Sequence, residues 1–372
     1  MEMKLTVLQE NLSKALNTAL RFTSSKAQLP VLGNIFLSAK KTKLSILATN
    51  LEISVAISVG AQVQKEGEIT VPARVISELV ANLPPGQIEL SVEKEKIQIS
   101  AQGFESNISG MNAGDFPSIP QSVDKQNSIL LPKEEFSRAL SQVVFSASVD
   151  ETRPILTGVL FLFQKGFLTM VATDGFRLSQ KKISLGGGGK PQKIILPKSA
   201  LGEISRLSAE ADEISLSYKE KDSQAVFEMG DCVFSTRILE GEFPDFEKII
   251  PKGGQVKVGV DKEELLRAVK TSSVFARDSA NIIRFATSKG GVSLSAESNQ
   301  TGSQKAVVDA KVEGESKGFE IAFNYRFVEE FLHSAVGDAV TLTFSSATAP
   351  GVFQEATDPN YLHLIMPVRL QS

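Results

Sequence analysis

One segment is written three times in this chain. Leu12-Ser13-Lys14-Ala15-Leu16-Asn17-Thr18-Ala19-Leu20 returns as Phe136-Ser137-Arg138-Ala139-Leu140-Ser141-Gln142-Val143-Val144, and again as Leu265-Leu266-Arg267-Ala268-Val269-Lys270-Thr271. The cations Lys14, Arg138 and Arg267 recur at intervals of 124 and 129 residues, each close to a third of the 372-residue chain. In the first copy Leu12, Ala15, Leu16, Ala19 and Leu20 fall at i, i+3, i+4, i+7 and i+8, which predicts an amphipathic helix with one buried face. Any fold for this sequence must place three like helices in three like settings, each presenting a cation.

The repetition extends beyond the helix. Lys43-Leu44-Ser45-Ile46-Leu47-Ala48-Thr49-Asn50 corresponds to Phe167-Leu168-Thr169-Met170-Val171-Ala172-Thr173-Asp174 and to Val292-Ser293-Leu294-Ser295-Ala296-Glu297-Ser298-Asn299. Alternating apolar and small polar residues that end in Asn or Asp predict strands closed by turns. A second helix recurs through Ile76 and Leu79, Leu201 and Ile204, and Val328 and Phe331, with Pro72 and Pro197 at the favoured start of the first two. Gly114-Asp115-Phe116-Pro117 and Gly241-Glu242-Phe243-Pro244, with Pro120 and Pro251 beyond them, punctuate the copies. The expected domains are therefore 1–125, 126–252 and 253–372. Each reads as two helices packed on antiparallel sheet, an α+β class with roughly seven or eight short strands. A period this long marks whole domains, not stacked units. Three like domains in a row predict an arc, and two arcs can close head to tail.

Composition narrows the function. No apolar run is long enough to span a bilayer and no signal peptide is evident, so no membrane partner is expected. The one cysteine, Cys232, cannot form an internal disulfide, and a cytoplasmic location is expected; a small covered hydrophobe accounts for it better than a nucleophile. The net charge of −3 requires any nucleic-acid contact to come from segregated cations. It argues against tight, sequence-reading DNA recognition.

No catalytic residue emerges. His333 and His363 lack ligand-like spacing with Cys or carboxylates, so no metal site is expected. Gly186-Gly187-Gly188-Gly189-Lys190 lacks the Ser or Thr of a phosphate loop, and Pro191 blocks helix entry; a hairpin tip is the better reading. Neither an enzyme nor a cofactor is expected.

Several longer segments carry a resemblance. They are Leu29-Pro30-Val31-Leu32-Gly33-Asn34, Asp150-Glu151-Thr152-Arg153-Pro154-Ile155-Leu156-Thr157-Gly158-Val159, Ala172-Thr173-Asp174-Gly175-Phe176-Arg177-Leu178, Phe243-Pro244-Asp245-Phe246 and Met366-Pro367-Val368-Arg369-Leu370. Together with the triple repeat, the whole chain resembles the bacterial sliding clamp family, the beta subunit of the replicative DNA polymerase III. The resemblance implies the DNA clamp fold: three homologous domains per chain and a ring-shaped homodimer around double-stranded DNA, held without regard to sequence. It implies a processivity factor that tethers the polymerase III catalytic subunit, the clamp loader and other proteins carrying a clamp-binding motif.

By the same resemblance, Lys14, Lys26, Arg74, Arg138, Arg153, Lys198 and Arg267 would meet DNA. A peptide groove between the second and third domains would be walled by Leu156, Thr173, Gly175, Phe176, Arg177, Leu178, Pro244, Lys248 and Ile249, then by Leu364, Ile365, Met366, Pro367, Val368, Arg369 and Leu370. An apolar trough with a methionine, flanked by cations, suits a short peptide with Leu and Phe anchors. Phe176 stands where relatives often carry His, and Lys248 where they carry Arg. The dimer joint would pair the edge strand around Ile108 with Val274 and Phe275. Two other classes compete with a clamp: a small-ligand protein or enzyme using the groove as its pocket, and a scaffold with no DNA contact.

Overall fold

The computed structural model describes residues 2–24, 29–187, 191–219, 222–288, 290–314 and 318–369. They divide into two compact units, one spanning Met1–Lys133 and Gly202–Ile238, the other Glu134–Leu201 and Leu239–Ser372.

In the first unit, helix α1 (Gln9–Leu20) buries Leu12, Ala15, Leu16 and Ala19 and leaves Lys14 exposed, as its spacing predicts. It packs on α2 (Ala73–Ala81), which starts directly after Pro72. Polar groups pin this pair: Gln9 Nε2 donates to Val80 O at 2.8 Å, and Ser77 Oγ to Leu16 O at 3.4 Å. Beside the helices lies a five-stranded antiparallel sheet in the order Gln62–Lys65, Glu2–Leu8, Gln87–Glu93, Lys96–Ala101, Phe104–Ser109. Strand Gln62–Lys65, laid against Glu2–Leu8, brings the first third to nine strands, one more than expected.

An eight-stranded sheet completes this unit. Its order is Ile129–Leu131, Ile214–Lys219, Gln224–Met229, Cys232–Arg237, Ile53–Gly60, Lys43–Thr49, Asn34–Lys40, Gly67–Pro72. Strand Cys232–Arg237 pairs antiparallel with Ile53–Gly60, so segments of the first and second repeat copies share one sheet. Lys43–Thr49 is covered on both faces. Leu44, Ile46 and Ala48 are fully buried, while Leu47 packs with Val123, Val226 and the tail residues Phe116 and Ile119.

Helix α3 (Lys133–Val143) lies in the second unit except for Lys133, and α4 (Lys198–Leu207) gives Lys198–Leu201 to the second unit and Gly202–Leu207 to the first. The second unit also holds α5 (Lys262–Ala276) and α6 (Tyr325–Ser334), capped by Asp261 and Asn324 side chains that accept from Glu264 N and Arg326 N. Its twelve-stranded sheet is continuous because Arg177–Ser184 pairs antiparallel with Asp358–Ile365, joining segments of the second and third copies. Phe323, Phe331, Phe344 and Phe353 fill a large core cluster of this unit. Each third of the chain thus carries two helices on antiparallel sheet. Among the described residues, no helix is long and apolar enough to cross a membrane.

Candidate functional site

The ladder between Arg177–Ser184 and Asp358–Ile365 places Leu178 opposite Leu364 and Arg177 opposite Ile365. The turn before it is held locally. Asp174 Oδ1 accepts from Phe176 N and Arg177 N at 2.9 and 3.0 Å, while Gly175 takes a φ of +94° that a side chain would strain. Thr173 Oγ1 donates to Arg177 O at 2.6 Å and accepts from Gly175 N at 3.1 Å. Beyond the second strand, Met366 N donates to Phe176 O at 2.8 Å, folding the C-terminal segment back beside the turn.

These contacts enclose a cavity of about 150 Å³. Of the residues expected in the groove, Leu156, Thr173, Gly175, Arg177, Leu178, Pro244, Ile249, Leu364 and Met366 line it. Leu178 and Leu364 form a buried floor, and Ile249 and Met366, 47% and 41% exposed, are walls that water still reaches. The remaining expected residues stand elsewhere. Phe176 is exposed beside the cavity and Lys248 is exposed and paired with Asp245 at 2.7 Å, which raises its pKa through that hydrogen bond. Ile365 is wholly buried in the large core cluster. Pro367 is half-buried, Val368 N donates to Ala322 O at 2.8 Å, Arg369 is exposed, and Leu370 lies outside the described residues. The cavity adds Asp245, Phe246 and Pro350. Phe246 belongs to the recurring Pro-containing tail and was within reach of sequence reasoning, whereas Pro350 has no counterpart in the other copies.

Beneath this floor most polar groups are satisfied internally, while the buried Nε2 of His363 has no hydrogen-bond partner among the described residues. Arg177 is mostly buried; Nε donates to Asp174 Oδ2 at 3.1 Å, Nη2 to Phe145 O at 3.0 Å and Nη1 to Glu330. Its guanidinium lies over the Phe327 ring at 4.5 Å and the Phe145 ring at 5.3 Å. His363, fully buried, stacks on Phe331 and shares a 2.7 Å hydrogen bond with Ser179 Oγ, which meets Ser146 Oγ at 2.7 Å. Burial, and secondarily the charge of Arg177, pushes its pKa down to about 3.

The expected DNA-facing cations divide by environment. Lys14, Arg138 and Arg267 are exposed at matching places on α1, α3 and α5. Lys14 pairs with Glu210, and Arg74 with Glu78 at 2.7 Å, a hydrogen bond that raises the Arg74 pKa. Arg153 pairs with Asp150 at 3.0 Å and also stands at the Gly175 turn, where a Cβ would come within 3.2 Å of its Nη1. Lys198 is not a free surface cation: it is half-buried, Nζ donates to Ala147 O at 3.1 Å, and burial followed by the charge of Arg177 lowers its pKa. Lys26 lies outside the described residues.

Of the residues expected at a joint between chains, Ile108 faces inward and is buried opposite Ile97, so its edge strand offers its backbone and the exposed Phe104. Val274 is exposed and Phe275 packs partly against the core. Along strand Gly302–Gly314, Gly302–Asp309 pairs on one side only among the described residues, and Val307 there is 69% exposed. Strand alternation around Val307 carried that signal.

Comparison with known proteins finds relatives along the whole chain. Family models of the DNA polymerase III beta subunit match in series: the N-terminal domain over residues 3–120, the central domain over 130–245 and the C-terminal domain over 247–369. The beta sliding clamps of Staphylococcus epidermidis and Staphylococcus aureus are 28% and 29% identical, with 99% of each chain covered. The crystal structure of the DNA polymerase sliding clamp from Bacillus subtilis superposes with a TM-score of 0.94 at 25% identity, over 100% of both chains. A sliding clamp from Pseudomonas aeruginosa bound to griselimycin gives 0.91 at 25% identity, again over 100% of both. The chain belongs to the DNA polymerase III beta subunit family, that of the bacterial beta sliding clamps.

Proposed function

We propose that this chain is a DNA sliding clamp, a non-catalytic subunit that confers processivity on its polymerase. Two copies close head to tail into a ring of six domains, built from 1–125, 126–252 and 253–372 of each chain. The open edge at Phe104–Ser109 and the one-sided stretch Gly302–Asp309, near Val274, supply the backbone groups for the joint. The ring encloses duplex DNA and works in the cytoplasm.

The observation that carries this reading is the repetition of an exposed cation at one place on α1, α3 and α5. Cations that meet phosphates without reaching base edges attract DNA of any sequence and allow it to slide. Retention then comes from enclosure. The cavity floored by Leu178 and Leu364 receives the apolar anchors of a short peptide from the polymerase III catalytic subunit, the clamp loader and other clients.

Loading onto closed circular DNA and onto the same DNA linearised tests the ring directly. Long retention on the circle and rapid loss from the linear form is the expected result. Equal retention on both overturns enclosure, and a monomeric mass in solution overturns the ring.

A further inference from the structure

We propose that Lys14, Arg21 and Arg206 form a phosphodiester-binding cluster in which Glu203 and Glu210 serve as built-in counterions that DNA phosphates displace. The proposal rests on the reading that α1 faces the duplex. Neither Arg21 nor Arg206 occupies the repeated cation position, and both belong to the first unit.

Arg21, at the C-terminal cap of α1, donates from Nε to Glu203 Oε2 at 3.0 Å, and Arg206 Nη1 donates to Glu203 Oε1 at 2.5 Å. One carboxylate bridges two guanidiniums. Its side chain is only 15% exposed while that of Arg206 is 66% exposed, so the positive groups stand in front of the negative one. Just past α4, Glu210 pairs with Lys14, and both side chains are largely exposed. Lys14, Arg21, Arg206 and Glu210 border one open cavity of about 680 Å³, as do the carboxylates Asp212 and Asp231.

The forks of arginine match carboxylate and phosphate alike. The exposed Lys14–Glu210 pair holds weakly, so an arriving phosphate can replace Glu210 at little cost, whereas at the more covered Glu203 the phosphate competes first for the outward-facing Arg206. The freed carboxylate then takes up a cation from solution, which offsets part of the counterion release that drives DNA binding. Three cations opposed by Glu203 and Glu210, with Asp212 and Asp231 on the same lining, therefore bind DNA more weakly, and with a shallower salt dependence, than their number implies. As each phosphate leaves, a carboxylate returns, so no charge is left bare while the duplex moves.

Titration of the homodimer against a short, fluorescently labelled linear duplex over a series of salt concentrations tests this. Glu210→Gln should tighten binding by about one and a half- to fivefold, and Glu203→Gln with Glu210→Gln by more. The slope of log affinity against log salt should steepen by about one for each carboxylate removed. Glu210 is exposed, so Glu210→Gln keeps the fold, and its unchanged or weakened affinity overturns the proposal. Lys14→Ala, Arg21→Ala and Arg206→Ala combined should weaken binding. If they do while the glutamine variants fail to tighten it, the counterion idea is lost and the DNA face stands. If the alanine variant binds as the parent does, both the cluster and the DNA-facing reading of α1 are lost.

Discussion

Ser54 and Ser235 face each other across an antiparallel ladder in the first unit, Oγ to Oγ at 2.6 Å. At the corresponding ladder position the second unit has Leu178 opposite Leu364. The registers agree: Thr49 lies opposite Ser54 as Thr173 lies opposite Leu178, and Thr236 lies opposite Ile53 as Ile365 lies opposite Arg177. One step on, Arg237 stands where Met366 stands, and its Nε donates to Leu51 O at 3.2 Å. Triplication produced two related strand junctions. Only one has an apolar floor.

A client peptide is therefore expected to bind with one copy per chain. Ile249→Ala together with Met366→Ala should weaken it by at least about tenfold, because both are exposed apolar walls whose loss leaves the fold in place. Ser54→Ala should have no effect on affinity. Calorimetric titration gives stoichiometry and affinity together, and a second binding equivalent on the unmodified chain sinks the comparison of the two junctions.

Much of this was legible beforehand, for identifiable reasons. The buried face of α1 follows from local periodicity, and the Asp174-Gly175 turn from residue types that favour it. The sharing of sheets between copies was not legible, because the pairing of Cys232–Arg237 with Ile53–Gly60 depends on partners far apart in the chain. Lys198 illustrates the same limit at the site. On a helix drawn from sequence it looks like a surface cation, and only the folded position of Ala147 O explains its burial. Ile108 does lie on an edge strand, but its own side chain is buried, and the large apolar side chain that edge exposes is Phe104.

Cys232 should be nearly inert in the native chain. Burial pushes its thiol from an ordinary 9.0 up to about 12, with the charge of Arg21 only partly opposing. Thiolate is the reactive form, so alkylation near neutrality should run about a thousandfold slower than in denatured protein. Stopped alkylation followed by mass analysis checks this, and equal rates in the two states refute it.

His363 should make the second unit sensitive to acid. The folded chain keeps the imidazole neutral down to about 3, while an unfolded imidazole protonates near ~6.5. Between those values the unfolded state binds a proton that the folded state does not. Stability from this residue is complete above the unfolded value and falls as pH drops toward the folded one, by about 1.4 kcal/mol per pH unit. His363→Phe keeps the stacking on Phe331 and leaves Ser146 and Ser179 bonded to each other. Urea midpoints near neutrality and near pH ~5 should converge in this variant. An unchanged pH dependence means other groups carry it.

Arg177 is expected to support the groove from below as well as border it. Its guanidinium is nearly buried between Phe145 and Phe327, with Asp174 and Glu330 as partners and Phe145 O as a third acceptor. Arg177→Ala strands the Asp174 carboxylate in a poorly solvated place and removes the acceptor's donor, at a cost of roughly 3–5 kcal/mol. Arg177→Lys keeps the charge but cannot fork to three partners or stack on two rings, and should recover only part of that stability. Because Asp174 also receives Phe176 N and Arg177 N, its displacement should loosen the turn that frames the cavity. Both variants should therefore lose peptide affinity and thermal stability together, in the order alanine worse than lysine. Loss of peptide binding at unchanged melting temperature would mean that Arg177 acts by touching the peptide alone.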